Sequence, residues 1–100
     1  MMQLHFTGKN IDVTPALKAY TIEKFQPLQK RYSQISSVRV TFTVEHLSQI
    51  AEATVHMNGT ELHATAKSDD MYASINALVD KLMGQINKQK EKIIDSHHHS

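Results

Sequence analysis

The sequence predicts an α+β domain of order β-α-β-β-β-α, a four-stranded sheet with two helices packed on one face. Three observations carry that reading. Four segments alternate apolar and polar residues with period two, two others repeat apolar residues at helical spacing, and 100 residues suffice for a single core but not for two.

The first strand is residues 2 to 7, where Met2, Leu4 and Phe6 oppose Gln3, His5 and Thr7. Gly8-Lys9-Asn10 turns the chain. Thr14 then reads as a helix N-cap with Pro15 at the first helical position, where a missing N–H is harmless. Leu17, Thr21, Leu28 and Tyr32 share one helical face, with Ile22 and Phe25 at its margin. Pro27 removes a backbone bond and crowds the preceding turn, so a kink or an early end is expected there.

Three strands follow. Val38, Val40, Phe42 and Val44 form one apolar row; Ala51, Ala53, Val55 and Met57 a second; Leu62, Ala64 and Ala66 a third. Residues 46 to 50 link the first two as an antiparallel connection. Asn58-Gly59 between the last two is a hairpin signal because both residues tolerate positive φ. Ser68 or Asp69 caps a long closing helix, with Asp69 and Asp70 at its positive end. Because the first connection passes through a helix, the first two strands are expected to be parallel neighbours. The other sheet face, rich in Thr, His and Glu, is left to water. Residues 1–95 form the single domain, and residues 96–100, with His97, His98 and His99, read as a disordered tail or a purification-tag remnant.

Composition narrows the chemistry. With no cysteine there is neither a disulfide framework nor a thiolate zinc site. No apolar run approaches the ~20 residues of a membrane span and no signal-peptide layout opens the chain, so a soluble cytoplasmic protein is the default. His56 and His63 are expected to face each other across the hairpin on the open sheet side, a pair that binds zinc weakly at most without a third ligand. Asp69 and Asp70 are explained by helix capping rather than acid–base catalysis. No phosphate-binding glycine loop and no nucleophile elbow occurs. No enzyme, cofactor, metal site or small-molecule substrate is expected.

The net charge is +1, but its distribution is uneven. The predicted helices hold Lys18, Lys24, Lys30, Arg31, Lys81, Lys88, Lys90 and Lys92 against Glu23, Asp80 and Glu91, which makes the helical layer the positive face. Advancing by about 100° per residue, Met71, Ile75, Leu78, Val79, Leu82, Ile86 and Ile93 of the closing helix fall on one apolar arc. Lys81, Gln85, Lys88 and Lys92 line a narrow row beside it. Lysines so aligned repel one another until a polyanion receives them; the plainer reading is a solvated face. Tyr72, off the centre of the arc, either packs at the sheet edge or stacks on an RNA base.

The closing segment, Ser68-Asp69-Asp70-Met71-Tyr72-Ala73-Ser74-Ile75 with Asp80-Lys81-Leu82 and Gln85-Ile86-Asn87-Lys88, resembles the last helix of the ribosome hibernation promoting factor family, which includes the protein Y and sigma-54 modulation proteins. Met2-Gln3-Leu4-His5-Phe6-Thr7-Gly8, then Thr14-Pro15-Ala16-Leu17, Lys24-Phe25 and Leu28, extend the likeness over residues 2 to 93. By resemblance, the sheet and helices are arranged much as in a double-stranded RNA-binding domain. The likeness further implies binding to 16S rRNA of the small ribosomal subunit, in the channel of messenger and transfer RNA, so that idle stationary-phase ribosomes are silenced. It implies the short form, which pairs ribosomes together with a separate ribosome modulation factor. Lys18, Lys24, Lys81, Gln85, Lys88, Lys90 and Lys92 fall on the family's basic positions and are the expected RNA-binding residues. Gly84 departs from the pattern, standing where such proteins commonly carry arginine. The rival readings are a protein-interaction module and a general double-stranded RNA binder.

Overall fold

A computed structural model describes the backbone of residues 2–98 and the side chains of residues 2–88. The elements are β1 (Gln3–Lys9), α1 (Pro15–Arg31), β2 (Ile35–Glu45), β3 (Ser48–Met57), β4 (Thr60–Ser68) and α2 (Met71–His98). The sheet order is β1-β2-β3-β4, with β1 parallel to β2 and the other pairs antiparallel.

The register explains why one face is apolar throughout. Leu4, Val38, Val55 and Leu62 lie side by side, as do Phe6, Val40, Ala53 and Ala64, and then Gly8, Phe42, Ala51 and Ala66. Both helices bury their apolar faces in the cluster built on this surface. The four alanines of β3 and β4 make a flat floor, and α2 lies over those two strands, with Ile75, Leu78, Leu82 and Ile86 fully buried. Phe6 and Phe42 stack at 6.3 Å between centroids under the other half of the layer.

Several local expectations shift. α1 runs through Pro27 to Arg31 without an early end. Pro27 and Glu23, whose carbonyl loses its partner, are both exposed, so the lost bond falls on the solvent side of the helix, where it costs least. Phe25 is fully buried rather than marginal, while Ile22 is 42% exposed. The helix cap at Thr14 is as read, its hydroxyl accepting from Leu17 N at 3.2 Å. At α2 the cap is Asp70, not Ser68 or Asp69: its carboxylate accepts from Tyr72 N and Ala73 N at 3.3 and 3.2 Å. Ser68 instead bonds Ser74 Oγ at 2.7 Å, and Ser74 donates to Gln49 O at 2.7 Å, tying the helix start to β3.

The β2–β3 link is tighter than residues 46 to 50, because both strands extend to a two-residue turn at His46 and Leu47. The Asn58-Gly59 turn has φ of 50° and 71°, as its sequence requires. Gly8 is needed for a different reason: a Cβ there would lie 2.3 Å from Ile11 O. The α2 backbone continues past Ile94 to His98, since nothing after Gly84 is a glycine or proline that would stop it.

Candidate nucleic-acid interface

The docking of α2 decides what its lysine row can do. Asn76 and Asn87 turn toward α1, where they accept from the hydroxyls of Tyr20 and Tyr32. At 100° per residue, Lys81, Gln85 and Lys88 then stand on the opposite flank, above β4. There the Lys81 ammonium donates to Thr65 O at 2.6 Å and the Gln85 amide to His63 O at 2.9 Å. Alternate residues of an edge strand turn their carbonyls outward, and these two lie on the edge that no other strand covers. Lys81, Gly84, Gln85 and Lys88 line an open groove with His63, Ala64 and Thr65.

The groove suits an anionic chain. An ammonium has three donors, so Lys81 can keep its bond to Thr65 and still donate to a phosphate. Its long side chain is already held in place, which reduces the ordering entropy lost on binding. Lys88 is exposed and carries no carboxylate partner among the described residues. Gly84 opens the groove wall, for nothing lies within 4 Å of where its Cβ would be.

The structure does not bring all the expected residues together. Lys81, Gln85 and Lys88 converge on the β4 groove. Lys24 belongs to the seam between the helices, its ammonium 5.3 Å from the centroid of the Tyr20 ring. Lys18 is exposed and lies about 200° round α1 from Tyr20, away from that seam. The side chains of Lys90, Lys92 and Ile93 lie outside the described residues. The positive surface is therefore spread over both helices rather than gathered in one pocket.

Two readings of other residues change. His56 does not face His63: the register pairs His56 with Glu61 and Thr54 with His63, giving contacts of 3.4 Å from His56 Nδ1 to Glu61 Oε2 and 3.0 Å from Thr54 Oγ1 to His63 Nδ1. A two-residue turn imposes this pairing. Tyr72 packs on Tyr20 of α1 rather than on the sheet edge, with centroids 4.7 Å apart and planes at 88°. Sequence reasoning missed the edge carbonyls of His63 and Thr65 as partners of the row, and Asn76 and Asn87 as helix staples; the only available signal was their position on either flank of the apolar arc.

No helix among the described residues is long and apolar enough to cross a membrane. Residues 4–94 match the family model described as Sigma 54 modulation protein / S30EA ribosomal protein. The chain is 44% identical over 92 residues to a ribosome hibernation promoting factor of Klebsiella oxytoca, covering 92% of this chain and 97% of that one. It is 47% identical over 94 residues to the factor of that name from Azotobacter vinelandii, covering 94% and 88%. A ribosomal subunit interface protein from Coxiella burnetii superposes with a TM-score of 0.81 at 33% identity, over 91% of this chain and 99% of that one. The N-terminal domain of Protein Y from Thermus thermophilus gives 0.79 at 26% identity, over 88% and 98%.

Proposed function

The chain belongs to the Sigma 54 modulation protein / S30EA family, the non-enzymatic ribosome hibernation promoting factors, and from that premise we propose that it binds 16S rRNA of the small subunit in the channel used by messenger and transfer RNA. The observation that carries this reading is the groove over β4, where Lys81, Gln85 and Lys88 stand together with Lys81 already oriented by Thr65. Recognition is by shape and phosphate position, which suits a folded RNA whose deep groove hides its base edges. Lys18, Lys24, Lys90 and Lys92 add charge along the rest of the helical layer.

Occupying that channel excludes message and transfer RNA and keeps stationary-phase ribosomes idle. In pairing those ribosomes the chain acts together with a separate ribosome modulation factor. Co-sedimentation with purified small subunits through a sucrose gradient tests the attachment. The labelled chain should travel with the subunits at low salt and be released as salt rises. A short RNA duplex or an acidic protein that competes as well as the subunit does would favour the rival modules instead.

A further inference from the structure

Three tyrosines stand in the chain, and two of them spend their hydroxyls on joining the helices. Tyr20 donates to Asn76 Oδ1 at 2.9 Å, and Tyr32 to Asn87 Oδ1. Tyr72 differs. Its hydroxyl has no hydrogen-bond partner among the described residues, and the residue stays 40% exposed. Its ring is nonetheless fixed, edge to face with Tyr20, and Tyr20 in turn is held by Asn76. On the same Tyr20 ring sits the Lys24 ammonium. An oriented, half-open aromatic and a cation thus flank one anchored ring.

We propose that Tyr72 is a stacking platform for an unpaired RNA base, with Lys24 receiving a neighbouring phosphate. This rests on the ribosomal-RNA reading above and adds to it a contact that is not electrostatic. A ring fixed beforehand loses little entropy when a base lies on it, and bases stack on tyrosine whatever their sequence. An apolar protein partner would need a wider patch than this one. The other exposed large apolar side chains are elsewhere: Ile22 lies about 200° round α1 from Tyr20, and Leu47 is at the β2–β3 turn. The nearest carboxylate in sequence, Asp70, is already engaged by the backbone of Tyr72 and Ala73.

The test compares Tyr72→Leu, Tyr72→Phe and Tyr72→Trp for small-subunit affinity, with melting temperature as the folding control. Tyr72→Leu should bind about 5- to 100-fold more weakly with the salt dependence of binding unchanged, whereas Phe and Trp should preserve affinity. A folded Leu variant that binds as tightly as the parent overturns the proposal. Should the Leu variant not fold, Tyr72→Trp still decides, because the chain has no other tryptophan: a single-stranded hexa-adenylate at low salt should quench its emission, and unquenched emission at saturation overturns the platform. Failure of the parent chain to bind subunits would count against the ribosomal reading, while the hexa-adenylate measurement would still judge the stacking.

Discussion

Lys81 of α2 donates to the carbonyl of Thr65 on β4 across 2.6 Å, so a residue expected to meet RNA also closes the open edge of the sheet. Gln85 does the same at His63. Exposed strand edges invite pairing with other chains, and a lysine and an amide seated on alternate carbonyls deter it. Replacing Lys81 by Met and Gln85 by Ala together should leave the monomer folded but raise its self-association, read as a concentration-dependent sedimentation coefficient. A double variant that stays monomeric at every concentration would show that the edge needs no such cover.

The lysine row itself has an electrostatic signature. If Lys81, Lys88 and Lys92 each neutralise one phosphate, replacing all three by Gln should weaken subunit binding and flatten the log–log salt dependence by about 2 to 3 units. Circular dichroism should show the fold retained. Unchanged affinity in the folded triple variant would remove the row from the interface.

Helix docking and RNA contact are separable on neighbouring turns. Leu82 is fully buried in the core cluster that α2 shares with the sheet, so Leu82→Ala should destabilise by about 2 to 5 kcal/mol, a large share of the stability of a domain this size. Lys88→Ala, at an exposed position, should lower the melting temperature little. Chemical denaturation of the two variants reads the difference directly.

Gly84 offers a gain rather than a loss. Its Cβ position is open and it lies inside a helix, so Gly84→Ala should stabilise by about 0.5 to 1 kcal/mol. Gly84→Arg should add a cation to the groove wall, tightening subunit binding and steepening the salt dependence by about one unit. Tighter folding without tighter binding in the Arg variant would place the RNA away from that wall.

Which of these features the sequence displayed follows from how local their causes are. Strand alternation in residues 38 to 44 and the Asn58-Gly59 turn involve only adjacent residues, and they read correctly. The apolar arc from Met71 to Ile86 was equally plain, because a periodicity survives whatever the helix packs on. The choice of Asp70 over Ser68 as cap was not, for the Ser68 hydroxyl meets Ser74 Oγ, which in turn donates to Gln49 O, a link made only after α2 docks on β3. Pro27 does not end α1, because its effect depends on whether the orphaned carbonyl meets solvent. Phe25 and Ile22, both read as marginal, part for a similar reason: the rotation of α1 on the core sets the centre of its buried face, which takes Phe25 and leaves Ile22 out. The bonds from Lys81 and Gln85 to β4 depend on the rotation of α2 over a strand that precedes it by one turn of chain, and no residue type announces them.

Occupancy of the channel is decided by competition. Small subunits loaded with message and initiator transfer RNA should bind the labelled chain with an apparent Kd that rises in proportion to their occupancy, because one surface cannot hold both. The same chain should inhibit protein synthesis in a purified translation system. An apparent Kd that stays constant when message and transfer RNA are saturating, while the chain remains bound, would contradict the account.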